Sequence, residues 1–204
     1  MHELGVLVAA GLPRASSIGT VAFWAIFGIW VGGEVWLQQR RRLPTTASNR
    51  DMGSMRLLIA SVWLGVGAGL ASSFRLPGLA IGAGGEPLFT AGLALMATGL
   101  LLRWWAVAVL GSAFTVAVGV QDQQDLVAAG PYHWVRHPSY SGSLLTILGI
   151  ALCCANWLAL AALVLPFAAY AYRIHVEEEA LLIRFGDAYR AHRRRTTRLV
   201  PWLL

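Results

Sequence analysis

Lysine is absent from this 204-residue chain, so all sixteen basic residues are arginine. In a chain this rich in Ala and Gly, that absence reads as a GC-rich coding bias more than as a mechanism. Charge of either sign is scarce. Only 13% of residues are charged, where a soluble domain carries roughly 25%, which excludes an ordinary soluble globule and a disordered chain. Cysteine is nearly absent: Cys153 and Cys154 are adjacent in an apolar stretch, a spacing that suits neither a disulfide framework nor a zinc site. The N-terminus lacks the positive segment of a secretory signal, because Arg14 follows the apolar run Leu4 to Leu12, and no cleavage is expected. Internal repeats, heptad runs and low-complexity tracts are also missing.

What remains is long apolar runs, with 57% hydrophobic residues and nine Trp. Ile18 to Leu37 is 20 residues broken only by Glu34 and ending against Arg40, Arg41 and Arg42. Length and flank both predict a spanning helix. Leu57 to Phe74 gives 18 uncharged residues, a second span. Pro87 suits a helix start, and Leu88 to Val120 then holds a single charge, Arg103, in 33 residues. A third span with an interfacial extension fits.

Asp122 to His137 is polar and contains Gly130 and Pro131, with Pro138 next, which predicts an ordered loop. Ser139 to Tyr172 then runs 34 residues without a charge. One helix of that length would reach ~51 Å across a core of ~30 Å, so a turn is expected near Cys154 to Trp157. Arg173 to Arg195 carries acids beside Leu181, Leu182, Phe185 and Tyr189 at helical spacing, the pattern of an amphipathic helix. The expected fold is all-α: a polytopic membrane protein with five transmembrane helices, the last two a tight hairpin, plus a cytoplasmic amphipathic C-terminal helix. With this layout only Arg14 and Arg75 fall on one side, which places the N-terminus outside and the C-terminus in the cytoplasm. The net charge of +6 sits at the ends of hydrophobic runs, as the positive-inside effect requires. No basic module is present, so a nucleic-acid partner is not expected.

Three groups of residues invite a chemical reading. The loop from Gly130 to Tyr140 packs two His, an Arg, two Pro and two Tyr beside a span. The prolines would hold Arg136 and His137 in fixed directions, although an aromatic belt with an arginine anchor has the same composition. Arg173 and Glu177 share a helical face, which permits an ion pair or a polar site. Arg103 lies inside an apolar run, where a charge costs at least ~2.5 kcal/mol unless it snorkels or is paired. It either snorkels beside Trp104 and Trp105 or points into a site shared with the tail acids.

The ordered pieces Leu126-Val127, Gly130-x-Tyr132, Arg136-His137-Pro138-Ser139-Tyr140, Glu177-Glu178-x-x-Leu181 and Phe185-Gly186-x-x-Tyr189, with Pro201 near the end, resemble the isoprenylcysteine carboxyl methyltransferases and their prokaryotic relatives. The resemblance covers about the C-terminal half. It implies one membrane domain over 1–204, with N-terminal spans in 1–100 and a catalytic region in 101–204. Within that region it implies a cofactor loop at 121–140, a hairpin at 139–172 and a C-terminal helix at 173–195.

The resemblance further implies S-adenosylmethionine as cofactor, bound by Gln121, Leu126, Val127, Tyr132, Arg136, His137, Pro138, Ser139, Tyr140 and Glu177. Arg173, Glu177, Glu178 and Arg103 would carry catalysis, with the arginines facing the substrate. Asp125 departs from the family's usual His before Leu-Val, and the N-terminal spans carry no motif. The implied acceptor is lipid-like or prenylated, methylated at a carboxylate in the cytoplasmic membrane. Three other readings stay open: a phospholipid or amine N-methyltransferase, a sterol-reductase-like enzyme using NADPH, and a non-enzymatic lipid-binding protein.

Overall fold

The computed structural model describes residues 16–40, 48–49, 53–82, 85–111, 119–120 and 126–201. The expectations for the run before Ser16, and for Gln121 and Asp125, lie outside these residues. Helices α1 (Ser17–Arg40) and α2 (Ser54–Arg75) coincide with the first two apolar runs, and α3 (Gly85–Leu110) takes up the first part of the third. Pro87 falls in the first turn of α3, where its missing N–H has no helical partner to lose. Helix α4 (Pro138–Cys154) is followed by the short α5 (Trp157–Ala162) and the long α6 (Val164–Arg195). The strand pairing among the described residues is one two-residue antiparallel ladder, β1 (Ser48–Asn49) with β2 (Gly119–Val120).

Four stretches are long and apolar enough to cross a membrane: Ser17–Gln39, Ser54–Arg75, Gly85–Leu110 and Trp157–Arg195. The chain is an integral membrane protein. Helix α4 is apolar but has 17 residues, a reach of about 26 Å at 1.5 Å per residue.

The hairpin turn falls where the uncharged run needs it. Ala155 adopts the left-handed conformation (φ 44°). Asn156 caps α5 by accepting from Leu158 N at 2.9 Å. The Asn156 side-chain amide also donates to Ser72 O at 3.3 Å and Leu76 O at 3.2 Å, which fastens the turn to the end of α2. Cys153 and Cys154 are buried free thiols in the core.

Helices α3 and α4 meet backbone to backbone. A Cβ on Gly99 would lie 2.5 Å from Gly142 O, and one on Gly149 would lie 2.6 Å from Gly92 O. Two glycine pairs seven residues apart on each helix thus let the antiparallel axes approach closely. This register brings Arg103 on α3 against Ser139 at the start of α4.

The expected boundary at Arg173 is not present, because α6 runs unbroken past Tyr172 into the charged tail. A change from apolar to charged side chains is not a backbone signal. The interruption instead comes at Gly186, whose φ of 50° and ψ of −118° kink the helix. Nor is the polar face of this segment free, since Arg173, Val176, Glu178, Ala180 and Tyr189 are all buried.

Candidate active site

The loop begins as a short 3-10 turn, Gly130–His133, that buries Pro131 and Tyr132. The chain after α6 returns to hold it. Arg136 N donates to Thr197 O at 2.8 Å and His137 N to Arg198 O at 3.0 Å. Thr197 N donates to Trp134 O at 3.2 Å, and Ser141 Oγ donates to Leu199 O.

Glu178 closes the same brace. Its carboxylate, 4% exposed, accepts from Arg136 Nε at 2.8 Å. His137 Nε2 lies 3.4 Å away, Arg198 Nη2 3.5 Å and Arg193 Nη2 3.8 Å. Arg136 also donates to the carbonyls of Arg193 and Thr196. Arg136 and Glu178 are therefore committed to each other. A buried carboxylate among four basic groups ties loop, helix and tail together.

Glu177, one residue earlier, faces differently. Its side chain is 32% exposed, and Oε2 accepts from the Tyr140 hydroxyl at 2.6 Å. His137 Nδ1 stands 3.7 Å from the same oxygen, with the His137 and Tyr140 rings stacked at 5.6 Å and 3°. Arg173 Nε donates to the Tyr140 hydroxyl at 3.0 Å, and its Nη1 donates to Ser54 Oγ at 2.9 Å. Arg173 and Glu177 share a helical face, as their spacing requires, and the Tyr140 hydroxyl links them.

Arg103 does not snorkel. Its Nε and Nη2 both donate to Glu34, the latter at 2.6 Å, and its Nη1 donates to Ser139 Oγ at 2.8 Å. The isolated acid of α1 and the isolated base of α3 thus form a bidentate pair, the geometry a planar guanidinium favours. The partner is an acid of the first span, Glu34, and not one of the tail acids.

These charges line one end of a cavity of ≈ 170 Å³. Glu34, Arg103, Tyr140, Tyr170 and Arg173 form its polar end, and Trp30, Val31, Leu58, Ile59, Val62 and Trp63 its apolar wall. Tyr140 belongs to both compartments, because it borders this cavity and hydrogen-bonds Glu177 on the far side.

A second cavity, ≈ 430 Å³, lies between the loop and the last turns of α6. Leu126, Ala128 and His133 face Ala188, Ala191, His192, Arg195 and Thr196 across it. Nearby Tyr132 is buried. Desolvation and the carboxylate of Glu177 raise its hydroxyl far above the ordinary phenol range, with Arg103 opposing, so it stays protonated. Pro138 and Ser139 are buried at the start of α4, and Val127 is half-buried beside Leu126.

The sequence reading missed Glu34 as a partner, though the lone acid in one span and the lone base in another were the available signal. It also missed Ser54, Tyr170 and the docking of Thr196 to Leu199, which no local pattern marks.

A family profile described as phospholipid methyltransferase matches residues 88–188. Protein-S-isoprenylcysteine O-methyltransferase of Schizosaccharomyces pombe is 34% identical over 116 residues, 55% of this chain and 49% of that protein. Protein-S-isoprenylcysteine O-methyltransferase B of Arabidopsis thaliana is 33% identical over 115 residues, 55% of this chain and 58% of it. The solved structure of a eukaryotic intramembrane Ras methyltransferase, an isoprenylcysteine carboxyl methyltransferase, superposes with a TM-score of 0.57 at 27% identity. It covers 72% of this chain and 52% of that one. The chain spans about half the length of the curated relatives it matches. Through the region shared with these relatives, the chain is similar to the isoprenylcysteine carboxyl methyltransferases.

Proposed function

We propose that the protein is an S-adenosylmethionine-dependent methyltransferase that transfers a methyl group to the carboxylate of a lipid-like or prenylated acceptor at the cytoplasmic membrane interface. The observation that carries this reading is the two-compartment site joined at Tyr140. An apolar cavity ending in arginines opens on one side, and a carboxylate with buried polar groups lies on the other.

The residues present suit the cofactor. The Tyr140 hydrogen bond engages only one Glu177 oxygen, and the carboxylate is a third exposed, which suits an ammonium, a ribose hydroxyl or a sulfonium. Among the described residues, the buried Tyr189 hydroxyl lacks a hydrogen-bond partner, which leaves polar capacity for a ligand. When bound, S-adenosylmethionine supplies an electrophilic methyl group on a sulfonium.

The chain's own residues then have three tasks. Arg173 and Arg103 hold a carboxylate by charge-assisted hydrogen bonds while staying protonated. Trp30, Trp63 and the aliphatic wall exclude water around it, which leaves the nucleophile poorly solvated and fixed in direction. Tyr140 holds Arg173 and Glu177 in mutual register. A carboxylate is already the nucleophilic form, so no general base is required. Leu126, Val127, Tyr132, Ser139 and Pro138 shape the cofactor side, and Arg136 with Glu178 braces the loop.

The same reading has α4 crossing the bilayer as a short fifth span, with the N-terminus outside and the charged end of α6 in the cytoplasm. A second acceptor class, an amine head group, is favoured by the phospholipid methyltransferase profile. In that case Glu177 would stabilise the ammonium. A nicotinamide-dependent reductase and a passive lipid-binding protein are not favoured by these relatives.

Titration calorimetry of the purified protein with S-adenosylmethionine and S-adenosylhomocysteine tests the cofactor assignment. Micromolar affinity that drops in Glu177→Ala and His137→Ala is expected. Folded protein that binds neither compound would overturn it.

A further inference from the structure

Glu34 is the only charged residue between Ser17 and Gln39 in α1, and it lines the cavity alongside the arginine it holds. A guanidinium offers a carboxylate its Nε/Nη2 edge for bidentate contact. In Arg103 that edge is filled by Glu34, while Nη1 is engaged by Ser139. An incoming carboxylate can use the same edge only if Glu34 leaves. We propose that Glu34 is an internal occupant of the acceptor's carboxylate seat. It holds Arg103 in the resting protein, yields that edge to an amphiphile with a carboxylate head, and reclaims it after the head is neutralised.

Three observations support the exchange. The cavity joins Glu34 and Arg103 to an apolar wall, a lining that suits a single anionic head on a hydrocarbon chain. Glu34 is the more exposed partner, 25% against 11% for the Arg103 side chain, so it has somewhere to go while Arg103 stays in place. Helix α1 also meets its neighbours through side chains, with ring contacts such as Trp30–Trp63 at 6.1 Å and Trp36–Trp104 at 5.8 Å. Gly28 and Gly32 on α1 face open space, while a Cβ on Gly33 would meet the Trp104 ring at 2.7 Å.

Exchanging one carboxylate for another leaves Arg103 paired throughout, so its desolvation is never uncompensated. The inference rests on the carboxyl-methylation reading and adds a consequence to it. As the oxygen–methyl bond forms and the sulfonium–methyl bond breaks, the acceptor loses its negative charge. A neutral ester cannot compete with Glu34 for Arg103. The same residue thus selects anionic acceptors and favours release of the product.

The test is calorimetric binding of S-farnesylcysteine and of its methyl ester to the full-length protein in detergent micelles. Glu34→Gln should tighten the carboxylate about tenfold and leave the ester within about threefold, since a competing charge is removed for one ligand only. Glu34→Asp, which keeps the charge on a shorter arm, should tighten the carboxylate by less. In turnover, Glu34→Gln should lower KM for the carboxylate without raising kcat. Unchanged or weaker carboxylate binding by either folded variant would overturn the proposal. Should both variants unfold, wild-type protein decides. Amide exchange over residues 31–40 should rise with the carboxylate and not with the ester, and equal exchange would overturn it. Tightening by Glu34→Gln in a protein that forms no S-adenosylhomocysteine would sink the methylation reading and leave the seat standing. Methyl-ester formation with affinity indifferent to Glu34 would do the reverse.

Discussion

The two halves of the molecule are held together by different means. Helices α3 and α4 interlock at glycines so closely that a Cβ on Gly142 would sit 2.6 Å from Arg103 N. Helix α1 touches its neighbours mainly through aromatic rings and leaves Gly28 and Gly32 with nothing within 4 Å. Charged groups follow the same division. The loop, α6 and the returning tail share a network around Glu178, whereas α1 contributes the half-buried carboxylate of Glu34. Positioning of a reacting group to within fractions of an ångström needs the first kind of construction. A wall that admits a lipid chain needs the second.

The contrast breaks most directly if the tight half tolerates bulk. Gly142→Leu drives a side chain into the α3 backbone. It should destabilise by about 3 kcal/mol or more, with thermal unfolding in detergent as the readout. A melting temperature near that of the wild type would show that the two helices can part at little cost.

Next in size is Glu178→Ala. Removing a buried carboxylate strands Arg136 and its neighbours, and about 3 kcal/mol of stability should go with it. Loss of stability without loss of cofactor affinity per folded molecule separates a brace from a ligand-binding group. Arg173→Ala should lower turnover by roughly 100-fold while cofactor affinity changes only a few-fold, as expected for a charged donor aimed at the reacting group. Equal loss of both would move Arg173 out of the acceptor compartment. Glu177→Ala should weaken S-adenosylmethionine by roughly tenfold, a modest figure because the carboxylate is a third exposed and screened. Calorimetry beside a melting curve would expose a purely structural role.

The same division governs what could be read in advance. Apolar length located α1, α2 and the start of α3 within a few residues, because a bilayer imposes that length on any spanning helix, whereas α3 ends at Leu110, well before the run does at Val120. The hairpin turn at Ala155 and Asn156 was legible for the same reason. In the loop, local sequence marked Tyr132, His137, Tyr140 and Glu177 as candidates, and the fold gathers them. Local sequence did not say that Glu177 and Glu178, adjacent in the chain, would diverge. Successive helical side chains point about 100° apart, so one meets Tyr140 and the other Arg136. The Arg103–Glu34 pair spans 69 residues of separation, and nothing in either local window fixes which acid an intramembrane base will meet. Gly186 was visible as a motif member, but its role as the kink depends on a positive φ that packing selects.

The smallest effect tests the loose half. Gly28 on α1 is exposed with open space where a Cβ would go, and its backbone is helical. Gly28→Ala should therefore change stability by no more than about 0.5 kcal/mol, with a slight gain where the added methyl restricts the unfolded chain. The identical change at Gly99, where the methyl would meet Gly142 O at 2.5 Å, should cost stability instead. A pair of melting curves thus compares one chemical substitution in two packing environments. If both curves shift alike, the difference in attachment between α1 and the α3–α4 pair has no energetic weight, and the packing argument for Glu34 yielding Arg103 loses its physical basis.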